Sequence, residues 1–73
     1  MRYQIGQYIK LTRKKYSLVL KIINIRSELF SYYSEVISVS GETSYHKVGD
    51  RSWWALSRNN KILTKEEAII EEL

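Results

Sequence analysis

Residues 16–25 read YSLVLKIINI and are the stretch of this 73-residue chain most typical of a β-strand. Successive side chains of a strand point to opposite faces of its sheet. Every second residue from 18 to 22 is leucine or isoleucine, while Val19 and Ile23 give the opposite face an apolar character of its own. Apolar side chains on both faces predict a central strand, or a strand that passes through the wall of a barrel.

The segment before this strand also alternates between apolar and polar residues. Residues 3–12 place four apolar side chains at five odd positions, which predicts a half-buried strand with a bend or bulge at Gly6. The odd positions are Tyr3, Ile5, Gln7, Ile9 and Leu11. Between the two predicted strands lie three consecutive cations, which favour water and predict an exposed hairpin tip: Arg13, Lys14 and Lys15.

The segment after the central strand predicts further short strands joined by turns. Residues 30–40 are rich in aromatic and β-branched residues, and their apolar phase changes midway, which predicts a third strand with a β-bulge near Ser34. A fourth strand is predicted over residues 43–48. Residues 51–58 are compatible with a fifth strand or with a single helical turn. The predicted turns lie at residues 24–28, 40–42 and 49–50.

The chain closes with a short strand, residues 61–63, and a helix. Thr64 followed three residues later by Glu67 is the sequence of a capping box. Leu63 and Ala68 occupy the positions of a hydrophobic staple, and the predicted apolar stripe of the helix consists of Ile69, Ile70 and Leu73. We expect this helix to dock on the preceding body.

Together these elements predict a mainly β protein with one C-terminal helix. We expect one domain over residues 1–73, with a β-barrel body at 1–63 and the helix at 64–73. Four or five short strands indicate a small SH3-like or OB-like barrel, or a strongly bent antiparallel sheet. The resemblance to SH3-like barrels concerns strand number and chain length only.

The composition offers little for covalent or metal chemistry. There is no Cys, and the single His46 and single Asp50 lie near each other without a placed nucleophile. No Gly-rich phosphate loop and no cluster of metal ligands is recognisable. We therefore expect no enzyme, no catalytic residues, no metal site and no cofactor.

The net charge of +4 is unevenly distributed. Residues 1–64 contain 11 Lys or Arg and four acidic residues and so carry +7, whereas residues 65–73 carry −3. A basic body favours an acidic partner. The N-terminus lacks the apolar core of a signal peptide, and no apolar run approaches membrane-spanning length, so we expect a soluble cytoplasmic protein without membrane contact.

The first functional hypothesis is nucleic-acid binding through the predicted hairpin tip. Cations interleaved with aromatic residues are typical of nucleic-acid surfaces, because cations contact phosphates and aromatic rings stack on bases. The predicted site residues are Lys10, Arg13, Lys14, Lys15, Tyr16 and Lys21.

The alternative is a protein-binding regulator or inhibitor, of the kind encoded by a phage or mobile element, that acts on a host protein. Exposed tryptophans are common interface anchors. The predicted interface residues are Trp53, Trp54, Arg51, Arg58 and Tyr33. The expected partner is thus nucleic acid or an acidic protein surface. A homodimer through an unpaired strand edge is a third hypothesis, and no small-molecule substrate is expected.

Overall fold

The computed structural model describes residues 3–55 and 61–72 and contains five strands and one helix. The strands form one antiparallel sheet in the order β4-β3-β2-β1-β5. The predicted fold class, mainly β with one C-terminal helix, is confirmed, and the described strands leave the sheet open between its edges, β4 and β5. The elements are β1 (Tyr8–Thr12), β2 (Tyr16–Arg26), β3 (Ser31–Gly41), β4 (Arg51–Ala55), β5 (Lys61–Leu63) and α1 (Lys65–Glu72).

β2 is the central strand, as its two apolar faces predict. One face contributes Leu18, Leu20 and Ile22 to the main core, which also buries Ile9 and Tyr32 of the neighbouring strands. The other face contributes Val19 to a smaller cluster beneath the helix. Burying an aliphatic side chain of this size stabilises the fold by about 1.5–3 kcal/mol, so the two faces of β2 account for much of the stability of the sheet.

The first strand is shorter than the alternation predicts. β1 begins at Tyr8, because the chain turns at Gly6, whose φ of +92° lies in the left-handed region that favours glycine. The Gly6 N–H still donates to the Ile22 carbonyl at 2.8 Å. Tyr3 is buried beside Tyr32, but the turn leaves Ile5 exposed. A strand over residues 3–12 is therefore wrong in its first half.

The turn between β2 and β3 also lies later than predicted. β2 continues to Arg26, and a single 3₁₀ turn over Ser27–Leu29 reverses the chain instead of residues 24–28. Phe30 closes this turn in the left-handed conformation, with a φ of +47°, and its ring is 73% exposed. Because the backbone stays extended as far as Arg26, the β2–β3 ladder continues to the pair of Arg26 with Ser31.

β3 contains the predicted bulge, but three residues beyond Ser34. Val19 pairs with Ser38 and Leu20 pairs with Val36, so Ile37 is the extra residue of β3. A second shift, opposite Ser34, places the extra residue in β2 at Ile23. The bulge at Ile37 changes the positions of β3 that face the main core from even numbers, Tyr32 and Val36, to the odd-numbered Val39. Ile37 itself packs against the cluster under the helix, on the opposite face.

The predicted fourth strand over residues 43–48 is wrong, because this segment is a loop. Its backbone N–H groups bond locally to side chains: the Thr43 Oγ1 accepts from Tyr45 at 3.1 Å, and the Asp50 Oδ2 accepts from Lys47 at 3.0 Å. Such local bonds compete with a β-ladder. On its outer side β3 pairs instead with β4, so residues 51–55 form a strand and not a helical turn. Residues 56–58 lie outside the described residues.

The helix is capped and docked as predicted, but a different side chain anchors it. The Glu67 N–H donates to the Thr64 Oγ1 at 3.1 Å, and the Thr64 N–H donates to the Glu67 Oε1 at 3.2 Å, so the capping box is formed. Ala68 is buried with Leu63 and Val19, as a hydrophobic staple requires. The predicted stripe fails: Ile69 and Ile70 are exposed, and Leu73 lies outside the described residues. In the part of the chain that the structure describes, no helix has the length and apolar character needed to cross a membrane.

Candidate functional site

The hairpin between β1 and β2 presents its three cations to solvent. Arg13, Lys14 and Lys15 form the connection, which is closed by a 2.8 Å bond from the Arg13 N–H to the Tyr16 carbonyl. All three side chains are exposed, and Arg13 also donates to the carbonyl of Thr12 at 3.3 Å. Within residues 3–55 and 61–72 none of these cations forms an ion pair. Their charge is therefore free to meet an anionic partner.

The loop that follows β3 lies directly against this hairpin tip. The Glu42 N–H donates to the Lys15 carbonyl at 3.0 Å. Gly41 makes the approach possible, because a Cβ at this position would lie 2.4 Å from the Lys15 oxygen and 2.8 Å from the Tyr16 Cα. Its φ of +91° independently favours glycine. The two segments are thus held together through backbone atoms.

Between the hairpin tip and this loop lies an open groove of about 430 Å³. One wall consists of residues 13–16 and the other of residues 42–45. The tyrosine ring of Tyr45 is 85% exposed, whereas Tyr16 is half-buried. Glu42 also lines the groove, so that its walls carry three cations and one carboxylate. We call this feature the hairpin groove.

The predicted nucleic-acid set is therefore divided by the fold. Four of its members, residues 13–16, line the hairpin groove, and Lys10 and Lys21 lie on strands. Lys21 pairs with Tyr8 across β1 and β2, and its Nζ lies 5.9 Å from the centre of the Tyr8 ring. Lys21 lines a second groove, of about 550 Å³, together with Glu35 and Arg51.

The adjacent tryptophans point to opposite faces of β4. Trp54 is half-buried and packs against the main core. Trp53 is 40% exposed and lies on the other face. The centre of its ring lies 5.2 Å from the centre of the Tyr33 ring and 4.3 Å from the Cζ of the Arg26 guanidinium. We call Trp53, Tyr33 and Arg26 the Trp53 cluster.

Of the two arginines in the predicted interface, only Arg51 belongs to the described residues. The Arg51 Nε donates to the Glu35 Oε1 at 2.8 Å, and their positions are paired across β3 and β4. Arg51 is therefore neutralised by its own strand neighbour. Arg58 lies outside the described residues.

A row of rings connects the hairpin groove with β4. His46 lies 5.5 Å from the Tyr16 ring and 5.5 Å from the Trp54 ring, between two side chains that pack against the core. Among the residues that the structure describes, the buried Nε1 of Trp54 and Oγ of Ser34 have no hydrogen-bond partner. Through its contacts with the rings of Tyr16 and Trp54, His46 packs the loop after β3 against the sheet.

Several residues of these sites lie outside the two predicted sets, among them Gly41, Glu42, Tyr45 and Arg26. An isolated tyrosine in the otherwise polar stretch of residues 42–47 is a weak sequence signal for Tyr45, but it was obscured by the predicted fourth strand. No sequence pattern indicates that Arg26 reaches Trp53, because the contact depends on strand register. Among the described side chains, no three His, Asp or Glu residues come together as metal ligands.

Comparison of the chain with protein-family models, with curated proteins and with solved structures finds no match.

Proposed function

We propose that this protein is a small, non-enzymatic module that binds nucleic acid through the hairpin groove. The observation that carries the proposal is the meeting, at one open groove, of two tyrosines with three cations that form no ion pair with any described residue. Cations at such a surface contact phosphates and release counterions, while aromatic rings offer stacking surfaces to bases. A cytoplasmic location fits a partner of this kind.

The charge distribution supports the same proposal. The cations of the hairpin tip add to a body, residues 1–64, that carries +7, and the acidic residues are concentrated in the terminal segment 65–73. A field of one sign steers an oppositely charged partner and raises its association rate. The carboxylate of Glu42 reduces the charge of the groove but does not reverse it.

The proposal is tested by fluorescence anisotropy with labelled single- and double-stranded oligonucleotides, at about 50 mM and about 200 mM salt. We expect saturable binding that weakens steeply with salt. The slope of log affinity against log salt gives the number of neutralised phosphates, at about 0.7 per phosphate for a single strand and about 0.9 for a duplex. Absence of binding at the lower salt concentration contradicts the proposal.

A matched pair of variants separates the hairpin from general charge. Lys14→Gln/Lys15→Gln and Lys61→Gln/Lys65→Gln remove the same charge from exposed positions in two different places. We expect the first variant to lose about tenfold or more in affinity and the second to change it little. Adding Arg13→Gln to the first variant removes the remaining cation of the tip. Unchanged affinity in that triple variant rules out the hairpin groove as the site.

The alternative, a regulator or inhibitor of a host protein, is favoured by one separate observation. Trp53 is partly exposed on an edge strand beside a tyrosine and an arginine, and these three residue types dominate binding energy at protein interfaces. This alternative predicts partner capture that depends weakly on salt and is lost in Trp53→Ala. Salt-sensitive oligonucleotide binding with an unaffected Trp53→Ala variant decides against it.

A further inference from the structure

The hairpin groove has two chemically different walls. The hairpin wall presents Arg13, Lys14 and Lys15, which suit phosphates, and the loop wall presents the ring of Tyr45, which suits the flat face of a base. In the described part of the chain the Tyr45 ring contacts no other ring and no cation. Tyr45 is 85% exposed, so most of its side chain is accessible to a ligand.

The relative position of the two walls is fixed before any ligand binds. The Glu42 N–H bonds to the Lys15 carbonyl, and Gly41 packs against the backbone of residues 15 and 16. The bond from the Tyr45 N–H to the Thr43 Oγ1 closes a local turn that supports the ring. A preformed groove loses less conformational entropy on binding than two independent loops.

A double helix does not match these walls. A duplex keeps its bases stacked inside and offers phosphates and groove edges at its surface, so the ring of Tyr45 would meet no base face. A single strand can turn one base outward onto an aromatic ring while the phosphates on either side reach neighbouring cations.

We infer that the hairpin groove binds single-stranded nucleic acid in preference to duplex, with one unstacked base on Tyr45 and the flanking phosphates on Arg13, Lys14 and Lys15. This inference rests on the proposed nucleic-acid binding and adds its strand preference and its stacking residue. It assigns the groove a ligand with separated bases and a flexible backbone, which only a single strand or an unpaired loop provides.

The test compares a labelled single strand of about 12 nucleotides with the duplex of the same sequence, a length within the range of small single-strand-binding sites. The proteins are the full chain, Tyr45→Ala and Tyr45→Phe. We expect the full chain to bind the single strand at least about fivefold more tightly than the duplex. Tyr45→Ala should lose about fivefold or more on the single strand and almost nothing on the duplex, while Tyr45→Phe keeps the affinity.

Phe30→Ala is the matched control, because Phe30 is the other strongly exposed aromatic ring of a turn and lies outside the hairpin groove. It should bind both oligonucleotides like the unchanged protein. Circular dichroism of each variant verifies that the fold is retained, which the 85% exposure of Tyr45 leads us to expect.

The outcomes distinguish this inference from the proposal on which it rests. Equal affinity for both oligonucleotides, or a Tyr45→Ala variant that loses equally on both, overturns the strand preference while salt-dependent binding still supports the hairpin as a phosphate-binding surface. Absence of binding to either oligonucleotide overturns both. A preference for the single strand that persists in Tyr45→Ala overturns the role of Tyr45 in stacking.

Discussion

The hairpin groove and the Trp53 cluster contain the same kinds of residue in opposite states. In the hairpin groove Arg13, Lys14 and Lys15 have no ion pair among the described residues, and Tyr45 is almost fully exposed. At the Trp53 cluster the Arg26 guanidinium already lies 4.3 Å from the Trp53 ring. Arg51, two residues before Trp53 on β4, forms an ion pair in which its Nε lies 2.8 Å from the Glu35 Oε1.

The difference shows how the fold allocates its cations. On the sheet face, cross-strand neighbours lie close enough to satisfy each other, so the arginines there serve the sheet itself. At the hairpin tip none of the five described strands lies opposite the three cations, so their charge remains available to a partner. The same composition of arginine and aromatic residues thus stabilises one region and equips the other for binding.

The largest effect that we expect separates the two tryptophans. Trp54→Ala should lower the free energy of unfolding by about 3 kcal/mol, because it removes a ring packed against the main core. Trp53→Ala should lower it by about 1 kcal/mol, the worth of one ring contact and one exposed cation–π contact. Urea unfolding followed by circular dichroism measures both. Equal losses would contradict the assignment of the two rings to a core face and an outer face.

The next effect concerns the glycine that joins the walls of the hairpin groove. Gly41→Ala should destabilise the protein by at least about 2 kcal/mol, since a left-handed alanine is strained and its Cβ meets the hairpin backbone. Gly49→Ala is the control, because Gly49 has a similar φ of +95° but open space around its Cβ position. We expect Gly49→Ala to lower the free energy of unfolding by about 1 kcal/mol, measured like that of Gly41→Ala by urea unfolding.

The same pair of variants tests the groove as a preformed site. Gly41→Ala should also weaken oligonucleotide binding at a temperature where the variant remains folded, while Gly49→Ala should bind normally. Unchanged binding by a folded Gly41→Ala variant would show that the close approach of the two walls is not needed.

Equal removal of charge from the two regions sharpens the comparison further. Lys14→Gln/Lys15→Gln should lower the oligonucleotide affinity about tenfold and, with one phosphate lost per lysine, reduce the salt slope by about 1.4 for a single strand or about 1.8 for a duplex. Arg26→Gln/Arg51→Gln removes the same charge from the sheet face and should change the affinity less than about twofold, because those guanidinium groups are engaged within the fold. If both variants lose affinity equally in anisotropy titrations, binding follows net charge and the distinction between the regions disappears.

The smallest effect concerns the helix, which belongs to neither region. The Thr64 backbone N–H, with smaller contributions from the Thr64 hydroxyl and Lys61, lowers the pKa of Glu67 from its ordinary value of 4.5. A carboxylate with a lowered pKa contributes stability above 4.5, and the contribution is lost as the pH falls through the folded pKa. Helical circular dichroism should therefore be constant from pH 7 to about 5 and decline below about 4.5.

Glu67→Gln provides the control for this titration. It should show a smaller decline over the same acidic range, because its side chain carries no titrating proton. An identical decline in the variant would assign the acid sensitivity of the helix to other carboxyl groups.

Local sequence patterns predicted the parts of the fold that depend on neighbours in the chain. The central strand follows from apolar residues on both faces of residues 16–25, and the capping box follows from Thr64 and Glu67. The prediction failed at residues 43–48, where β-prone residues are drawn into local side-chain bonds, and at Ile69 and Ile70, where Ala68 makes the buried contact.

Sequence patterns predicted the hairpin wall of the hairpin groove but not its loop wall. Three consecutive cations between two apolar segments identify an exposed hairpin tip without any knowledge of its surroundings. Tyr45 and Gly41 come from a segment about 30 residues later, so nothing in their local sequence connects them to that tip. Strand pairing brings them there, because Tyr16 lies opposite Gly41 in the register of β2 and β3.

By itself, the sequence determined the mainly β class, the central strand, the solvated cationic tip and the capped helix, since each depends on periodicity or on hydrogen bonds between residues close in the chain. The tertiary structure decided which tryptophan faces the core, which arginines are already paired and which ring faces the cations. These choices depend on strand register and on the bulges at Ile37 and Ile23, and a register shift of one residue exchanges the two faces of a strand.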